Sequence, residues 1–324
     1  MQTQTPSVSL IRAESYERQP LQDALKTLLE PLGGMVAFVK PGDRVLLKPN
    51  LLTGARPSKE CTTRAELVYY VAQMVQAAGG KPFLGDSPAF GSAKGVAVAN
   101  GYLPVIEELN LPVVDFHGKR YQTAGNTFNH LLLCKEAIEA DVVINLPKVK
   151  SHSQLTLTLG VKNLFGCVPG KMKAWWHMNA GKDRDHFGQM LVETARAINP
   201  NLTILDGIIG HEGNGPSGGE PRHLGILGAS SNVFALDRAM VEILNVDPLA
   251  VPTVAASMKS GLCSNLEAID FPQLRPEDLK VFAWKLPDTL MPIDFGLPRV
   301  MRSTFKHVYI RFIKEPMSAY AINR

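Results

Sequence analysis

The chain alternates between two hydrophobic rhythms. Short apolar runs that end in polar turn residues occur at VSLIRA (8–13), RVLLKPNLL (44–52) and KPFLGDSP (81–88). The same pattern recurs at LPVVDF (111–116), ADVVINLPKVKSH (140–152), LTILDGIIG (202–210) and HLGILGAS (223–230). Such runs predict buried strands. Between them, LQDALKTLLEPL (21–32), ELVYYVAQMVQAAG (66–79) and VFALDRAMVEIL (233–244) place apolar residues at helical spacing. Gly33-Gly34 and Gly79-Gly80 stop the first two, and Thr62-Thr63 are placed to cap the second. Strands alternating with helices predict an α/β protein, mainly a parallel sheet flanked by helices. The pattern loosens after Leu262, where KVFAW (280–284) is the one clear strand signal. The expected division is an α/β domain over 1–262 and an irregular C-terminal extension over 263–324. VYIRFIK (308–314) reads as a strand, a partner surface or a membrane-surface helix, with the strand favoured.

In parallel α/β sheets, ligands lie beyond the carboxyl ends of the strands. The residues there are Lys48-Pro49-Asn50, Asp86-Ser87-Pro88, Asn145-Leu146-Pro147-Lys148 and Asp206-Gly207. Together they predict one polar rim. The competing reading of each is a turn residue bonding its own backbone.

Composition narrows the class. With 324 residues, 45% hydrophobic and 20% charged, the chain is globular in type. A net charge of +4 is too weak to argue for nucleic acid, and it suits an anionic small molecule or an acidic partner. Cys61, Cys134, Cys167 and Cys263 lie far apart without a CxxC, so neither a disulfide framework nor a local cluster-binding run is expected. The first residues contain no apolar core of a signal peptide, and no apolar run is long enough to span a membrane. The cytoplasm is the expected location.

The candidate chemistry gathers in two stretches. Lys148, Lys150, His152, Lys162, Lys171 and Lys173 crowd one of them. SQLTLTLGVKNLFG reads as a helix starting near Ser151 or Ser153, whose N-terminal amides and neighbouring lysines would attract phosphate or carboxylate. A solvated basic face is the competing reading. Lys162 sits among Leu157, Leu159, Val161, Leu164 and Phe165, where a lysine needs a partner or a route to solvent. The second stretch is GHEGNGPSGG (210–219). Gly213, Gly215 and Gly218 spell GxGxxG, but Pro216 interrupts it and a strand follows, so a dinucleotide fingerprint is rejected. Its amides could still converge on an anion, or it is a plain loop. Walker A, GxSxG and HExxH motifs are absent. No two of the eight histidines stand at i, i+4, so a metal site would need distant segments, with His152, His177 and His211 the best placed. Trp175-Trp176 could stack on a flat ligand or staple a lid. Cys167 is a ligand, a nucleophile or, on the favoured reading, a small filler.

Four segments, VLLKPNL (45–51), GDSP (85–88), NLPKVKSHSQLTLTLGVKNLFGCVPGK (145–171) and LDGIIGHEGNGPSGGEP (205–221), resemble the DUF362 family of prokaryotic proteins. Many members of that family are fused to a ferredoxin-like segment holding two [4Fe–4S] clusters, which implies redox work. This chain departs from them in having no cluster-binding cysteine run. Its ending, EPMSAYAINR, is similar to the strand that precedes the first cluster motif in fused members. The resemblance therefore implies either a longer product or a member without clusters. GVKNLFGCVPG (160–170) is also similar to a segment of the nickel-dependent lactate racemase family, in which lysine and histidines hold a nickel-pincer nucleotide. That likeness implies Lys162 and His177 facing a nucleotide-like anion.

The resulting expectation is an anion site at the strand ends. Lys48, Asn50, Lys148, Lys150, Lys162, Asn163, Gly213, Asn214 and Gly215 would bind the ligand. Asp86, His152, His211 and Glu212 would transfer protons or hold a metal. A redox-associated protein served by an iron–sulfur segment or ferredoxin-like partner is the first reading. A metal- or nickel-pincer-dependent isomerase and a non-catalytic anion-binding module are the alternatives.

Overall fold

Strand alternation sets the layers of this protein. In the computed structural model, residues 5–121, 125, 127–263, 265–294 and 309–310 are described. β1 (Ser9–Arg12) and α1 (Arg18–Leu29) open the chain, followed by β2 (Arg44–Pro49), α2 (Ala65–Ala77) and β3 (Lys81–Asp86). Next come α3 (Ala93–Ala99), α4 (Leu103–Glu108), β4 (Val113–Asp115) and the strand pair β5 (Gly118–Tyr121) and β6 (Leu131–Cys134). The middle of the chain carries α5 (Lys135–Ile138), β7 (Val142–Leu146), β8 (Lys148–His152), β9 (Thr156–Thr158), α6 (Gly160–Asn163), α7 (Gly170–Asn179) and α8 (Arg184–Ile198). β10 (Leu202–Glu212), β11 (Glu220–Ser230), α9 (Val233–Ile243) and α10 (Pro252–Lys259) complete the regular elements.

The main sheet has the order β1-β11-β10-β7-β2-β3-β4, with β8 and β9 continuing beside β10. Its centre, β10-β7-β2-β3-β4, is parallel. The β1 edge and the β10–β11 hairpin are antiparallel, so the sheet is mixed but mostly parallel. Residues two apart face the same side of a strand. Val45 and Leu47 of β2 therefore join Leu21, Leu25, Val68 and Val71 of α1 and α2 on one face. Leu46 points the other way and joins Phe187, Met190 and Leu191 of α8. α9 closes a third cluster over Leu205 and Ile226. Helices on both faces leave the strand ends as the free place for a site.

Several expectations are corrected. The run 140–152 is two strands, broken at Pro147, which cannot donate a ladder hydrogen bond. The helix expected from Ser151 is instead β8, a turn, β9 and the four-residue α6. Thr156, Leu157, Thr158 and Leu159 alternate with period two, and β9 pairs back antiparallel on β8. Thr63 does not cap α2; its hydroxyl donates to the Leu146 carbonyl (2.7 Å) and accepts from the Asn50 amide (2.8 Å). Residues 280–284 are not a strand, and Ala283 takes φ 55° in a turn. Trp175 and Trp176 lie on α7, with Trp176 buried against Phe128. Apart from 309–310, the segment 308–314 lies outside the described residues.

The C-terminal extension is irregular where described, with short 3-10 turns at Leu266–Ala268 and Pro276–Leu279. It nevertheless runs back over the body. The Lys285 carbonyl accepts from Gly213 N–H and Ser151 Oγ, and Met291 N–H donates to the Ser153 carbonyl. Ile293 is buried in the α8 cluster.

Candidate lysine-lined site

Lysines at the strand ends are the unusual feature of the interior. Lys48 closes β2, Lys148 and Lys150 lie on β8, Lys162 is on α6 and Lys173 on α7. Lys48, Lys148 and Lys150 are almost fully buried. Burying an ammonium is unfavourable unless it is paired and hydrogen-bonded.

Two of the lysines are paired. Lys48 Nζ lies 3.2 Å from Asp86 Oδ1 and donates to the Pro49 carbonyl (2.6 Å) and Asn163 Oδ1 (3.4 Å). Asp86 is fixed by the amides of Leu51 (3.1 Å) and Ser87 (2.7 Å). Gly166 makes room for this pair, since a Cβ there would stand 2.3 Å from Asp86 Oδ1 and 2.5 Å from Lys48 Cε. Lys148 Nζ reaches Asp206 (3.1 Å), Glu60 (3.3 Å) and the Tyr16 hydroxyl (3.0 Å). Tyr16 also donates to Asp206, and burial followed by that carboxylate holds its phenol well above the ordinary range.

The other three lysines have no carboxylate in contact among the described residues. Lys150 Nζ donates to Asn50 Oδ1 (2.8 Å) and the Cys61 carbonyl (2.7 Å). Burial drives its pKa down to about 7, with Lys148 and Lys48 adding to the effect. Lys173 donates to the Ser87 carbonyl, and burial lowers its pKa too. Lys162 is half-buried, with Nζ 4.6 Å from the Phe165 ring centroid. Burial, then Lys173, Lys150 and Lys48, bring its pKa to about 7.

An amide relay ties these walls together. Asn50 Nδ2 donates to Asn163 Oδ1 (3.0 Å), and Asn163 Nδ2 donates to Asn145 Oδ1 (2.8 Å) and the Lys48 carbonyl (3.1 Å). Asn145 in turn holds the Gly160 carbonyl (3.1 Å). The first amides of α6, where the helix begins, are occupied by the chain itself. Gly160 and Val161 N–H donate to the two oxygens of buried Asp237 (2.7 and 2.9 Å). Burial, outweighing those amides, still raises the Asp237 pKa to about 7.

Two histidines border the lysines. His152 Nδ1 accepts from the Gln154 amide (3.1 Å), so the neutral ring carries its proton on Nε2. Burial, then Lys162, Lys150 and His177, hold its pKa well below the ordinary value. His177 is buried between Phe165 and Phe187 with Nδ1 2.9 Å from the Ile293 carbonyl.

The glycine-rich turn is arranged differently. Gly213 N–H donates to the Lys285 carbonyl (2.8 Å), Gly215 N–H to the Gly213 carbonyl (2.8 Å), and Gly219 N–H to His211 Nε2 (3.0 Å). Asn214 exchanges hydrogen bonds with Asp288. Glu212 binds Arg222 (2.8 Å) and accepts from the Lys285 amide (3.0 Å). His211 is fully buried, and burial and then Lys150 lower its pKa to about 4. Its Cα stands opposite Lys150 in the β8–β10 pairing.

The structure thus brings together Lys48, Asn50, Asp86, Lys148, Lys150, Asn163, Lys162 and His152, with His211 behind Lys150. Glu212, Gly213, Asn214 and Gly215 are committed to a separate turn. Tyr16 and Glu60, outside the expected set, carry no local sequence signal. Lys173 also lies outside the expected set, although it belongs to the same lysine-rich run.

The cysteines do not fit an iron–sulfur cluster. All four are buried and dispersed, and burial pushes Cys167 and Cys263 up to about 12, away from the thiolate a cluster needs. Among the described residues, no three His, Cys, Asp or Glu side chains converge as a metal set. Among them, no helix is long and apolar enough to cross a membrane.

Fold and site define a mostly parallel α/β protein in which Lys150, Lys162 and Lys173, on β8, α6 and α7, have no carboxylate in contact among the described residues. A family model described as "Domain of unknown function (DUF362)" matches residues 45–242, and the chain belongs to that family. It is 66% identical over 314 residues to the thylakoid-associated protein sll1697 of Synechocystis sp., covering 97% of this chain and 98% of that protein. The lactate racemase apoprotein from Thermoanaerobacterium thermosaccharolyticum matches at 14% identity with a TM-score of 0.48, covering 73% of this chain and 57% of its own length.

Proposed function

We propose that the strand-end site binds a small anion, a carboxylate or phosphate, and places proton-transfer groups beside it. The observation that carries this reading is the buried excess of positive charge. Lys150, Lys162 and Lys173 lack a carboxylate among the described residues, and two of them sit at a pKa of about 7. A bound anion supplies the missing countercharge and lets these lysines take up protons. His152, neutral and carrying Nε2–H, is the hydrogen-bond donor of the site. Lysines that titrate near neutrality are suited to accept and return a proton.

Calorimetric titration with phosphate and with oxalate, in two buffers of different ionisation enthalpy, tests this. Proton uptake makes the measured heat depend on the buffer. Lys150→Met removes a charge-assisted contact worth about 1.5–3 kcal/mol, a weakening of roughly tenfold or more. Failure of both anions to bind at low salt would defeat the reading.

The relative's name adds a location. The expected cytoplasmic protein becomes, on this reading, one held at the cytoplasmic face of a membrane. Release from washed membranes by alkaline carbonate supports that; retention after the wash counts against it.

A further inference from the structure

The lysines of the site differ in how far their ammonium groups are committed. Lys48 and Lys148 hold carboxylates, Lys150 donates to Asn50 and Cys61, and Lys173 donates to Ser87. Among the described residues, Lys162 Nζ makes no hydrogen bond and no ion pair. It lies over the face of Phe165. Its side chain is only partly covered, and among the described residues the fold makes no polar use of its ammonium group. Lys173, Lys150 and Lys48 crowd it with positive charge, and its own charge presses on His152. A desolvated lysine beside other cations is an amine nucleophile toward carbonyl carbon.

We infer that Lys162 is a Schiff-base lysine and that the site takes a 2-oxo acid, whose carboxylate is held by Lys150 and Lys173 while its keto carbon meets the Lys162 amine. This deepens the anion-site reading and rests on it. The Nζ lone pair forms the new C–N bond, and the carbonyl π pair moves onto oxygen. One of the two amine protons passes to that oxygen, giving the neutral carbinolamine. Loss of the second amine proton and of the hydroxyl as water then leaves a C=N bond. Atoms and electrons balance with no oxidant or reductant. The His152 Nε2–H is the donor for the carbonyl oxygen as its charge develops. A pKa of about 7 leaves much of the Lys162 amine unprotonated at neutral pH, whereas surface lysines titrate near about 10.4.

The test uses the full chain with glyoxylate as the 2-oxo acid and borohydride to reduce any imine. Peptide mass mapping then locates the carboxymethyl group left behind. Oxalate binding, measured by calorimetry, reads the anion site separately. The expected result is oxalate binding by the unaltered chain together with an adduct on Lys162 whose trapping rate rises with a midpoint near pH 7 and which is lost in Lys162→Arg. Oxalate binding without modification of Lys162 would overturn the Schiff-base role and leave the anion site standing. So would labelling of Lys162 that climbs only toward the pH range of surface lysines. Neither oxalate binding nor an adduct would overturn both.

Discussion

The lysine cluster and the glycine-rich turn meet where His211 stands opposite Lys150, yet their polar groups are in opposite states. In the turn, Gly213, Gly215 and Gly219 direct their amides to Lys285, Gly213 and His211. The glycines serve close backbone approach there. A Cβ on Gly215 would stand 1.9 Å from the Ser151 carbonyl oxygen, and one on Gly219 would stand 2.0 Å from that of Glu212. In the cluster, lysine ammonium groups outnumber the carboxylates in contact with them among the described residues. A satisfied turn holds a fold, whereas an unsatisfied one leaves free energy for a ligand to release.

The sharpest way to break this contrast is Asp86→Ala. It leaves Lys48 buried without its carboxylate, at a cost of about 3–5 kcal/mol. Urea denaturation should show that loss, and added phosphate should recover part of it. A loss below about 1 kcal/mol would mean the cluster tolerates uncompensated charge and needs no anion. Gly215→Ala should cost on the order of 3 kcal/mol, because the Ser151 backbone must move. Phosphate should give it no special protection; selective rescue would make the turn part of the site.

Stability against pH gives a smaller effect with a definite sign. Lys150 and Lys162 have folded pKa values of about 7, below the unfolded one, so above about pH 7 the unfolded chain binds more protons; Lys173, also lowered, acts in the same direction. Stability should therefore rise from pH 7 to about 8.5, by about 1 kcal/mol per unit for a fully buried lysine. Above that, Cys167 and Cys263, kept protonated by the fold, act in the opposite direction. The urea midpoint measured across this window should flatten in Lys150→Met; an equally steep profile in that variant would remove Lys150 from the account. Asn214→Ala should be nearly silent, about 0.5 kcal/mol, with unchanged oxalate affinity by calorimetry, since its bonds to Asp288 are exposed.

The strands and their ends were legible because buried parallel strands leave dense apolar runs, and Lys48, Asp86, Asn145 and Lys148 stand where such runs stop. The helix expected from Ser151 shows the opposite case. Leucines at 155, 157, 159 and 164 satisfy a loose helical count, but the Thr-Leu alternation over 156–159 carries the stronger, period-two signal. The role of Asp237 was hidden because α9 supplies it from 77 residues beyond Gly160. Tyr16 and Glu60 reach Lys148 from 132 and 88 residues away, distances at which no local pattern survives. The glycine turn misled through composition, which records how many amides exist and not what they already bind.

The C-terminal segment grips its neighbours mainly through its main chain. Carbonyls of Lys285, Pro292 and Ile293 receive Ser151, Gln154 and His177, while Leu290 and Met291 face solvent. A fastening made of peptide groups is indifferent to most outward side chains. Residues 290 and 291 are thus positions that evolution, or a protein engineer attaching a fluorophore, can rewrite while the closure over β8 keeps its shape.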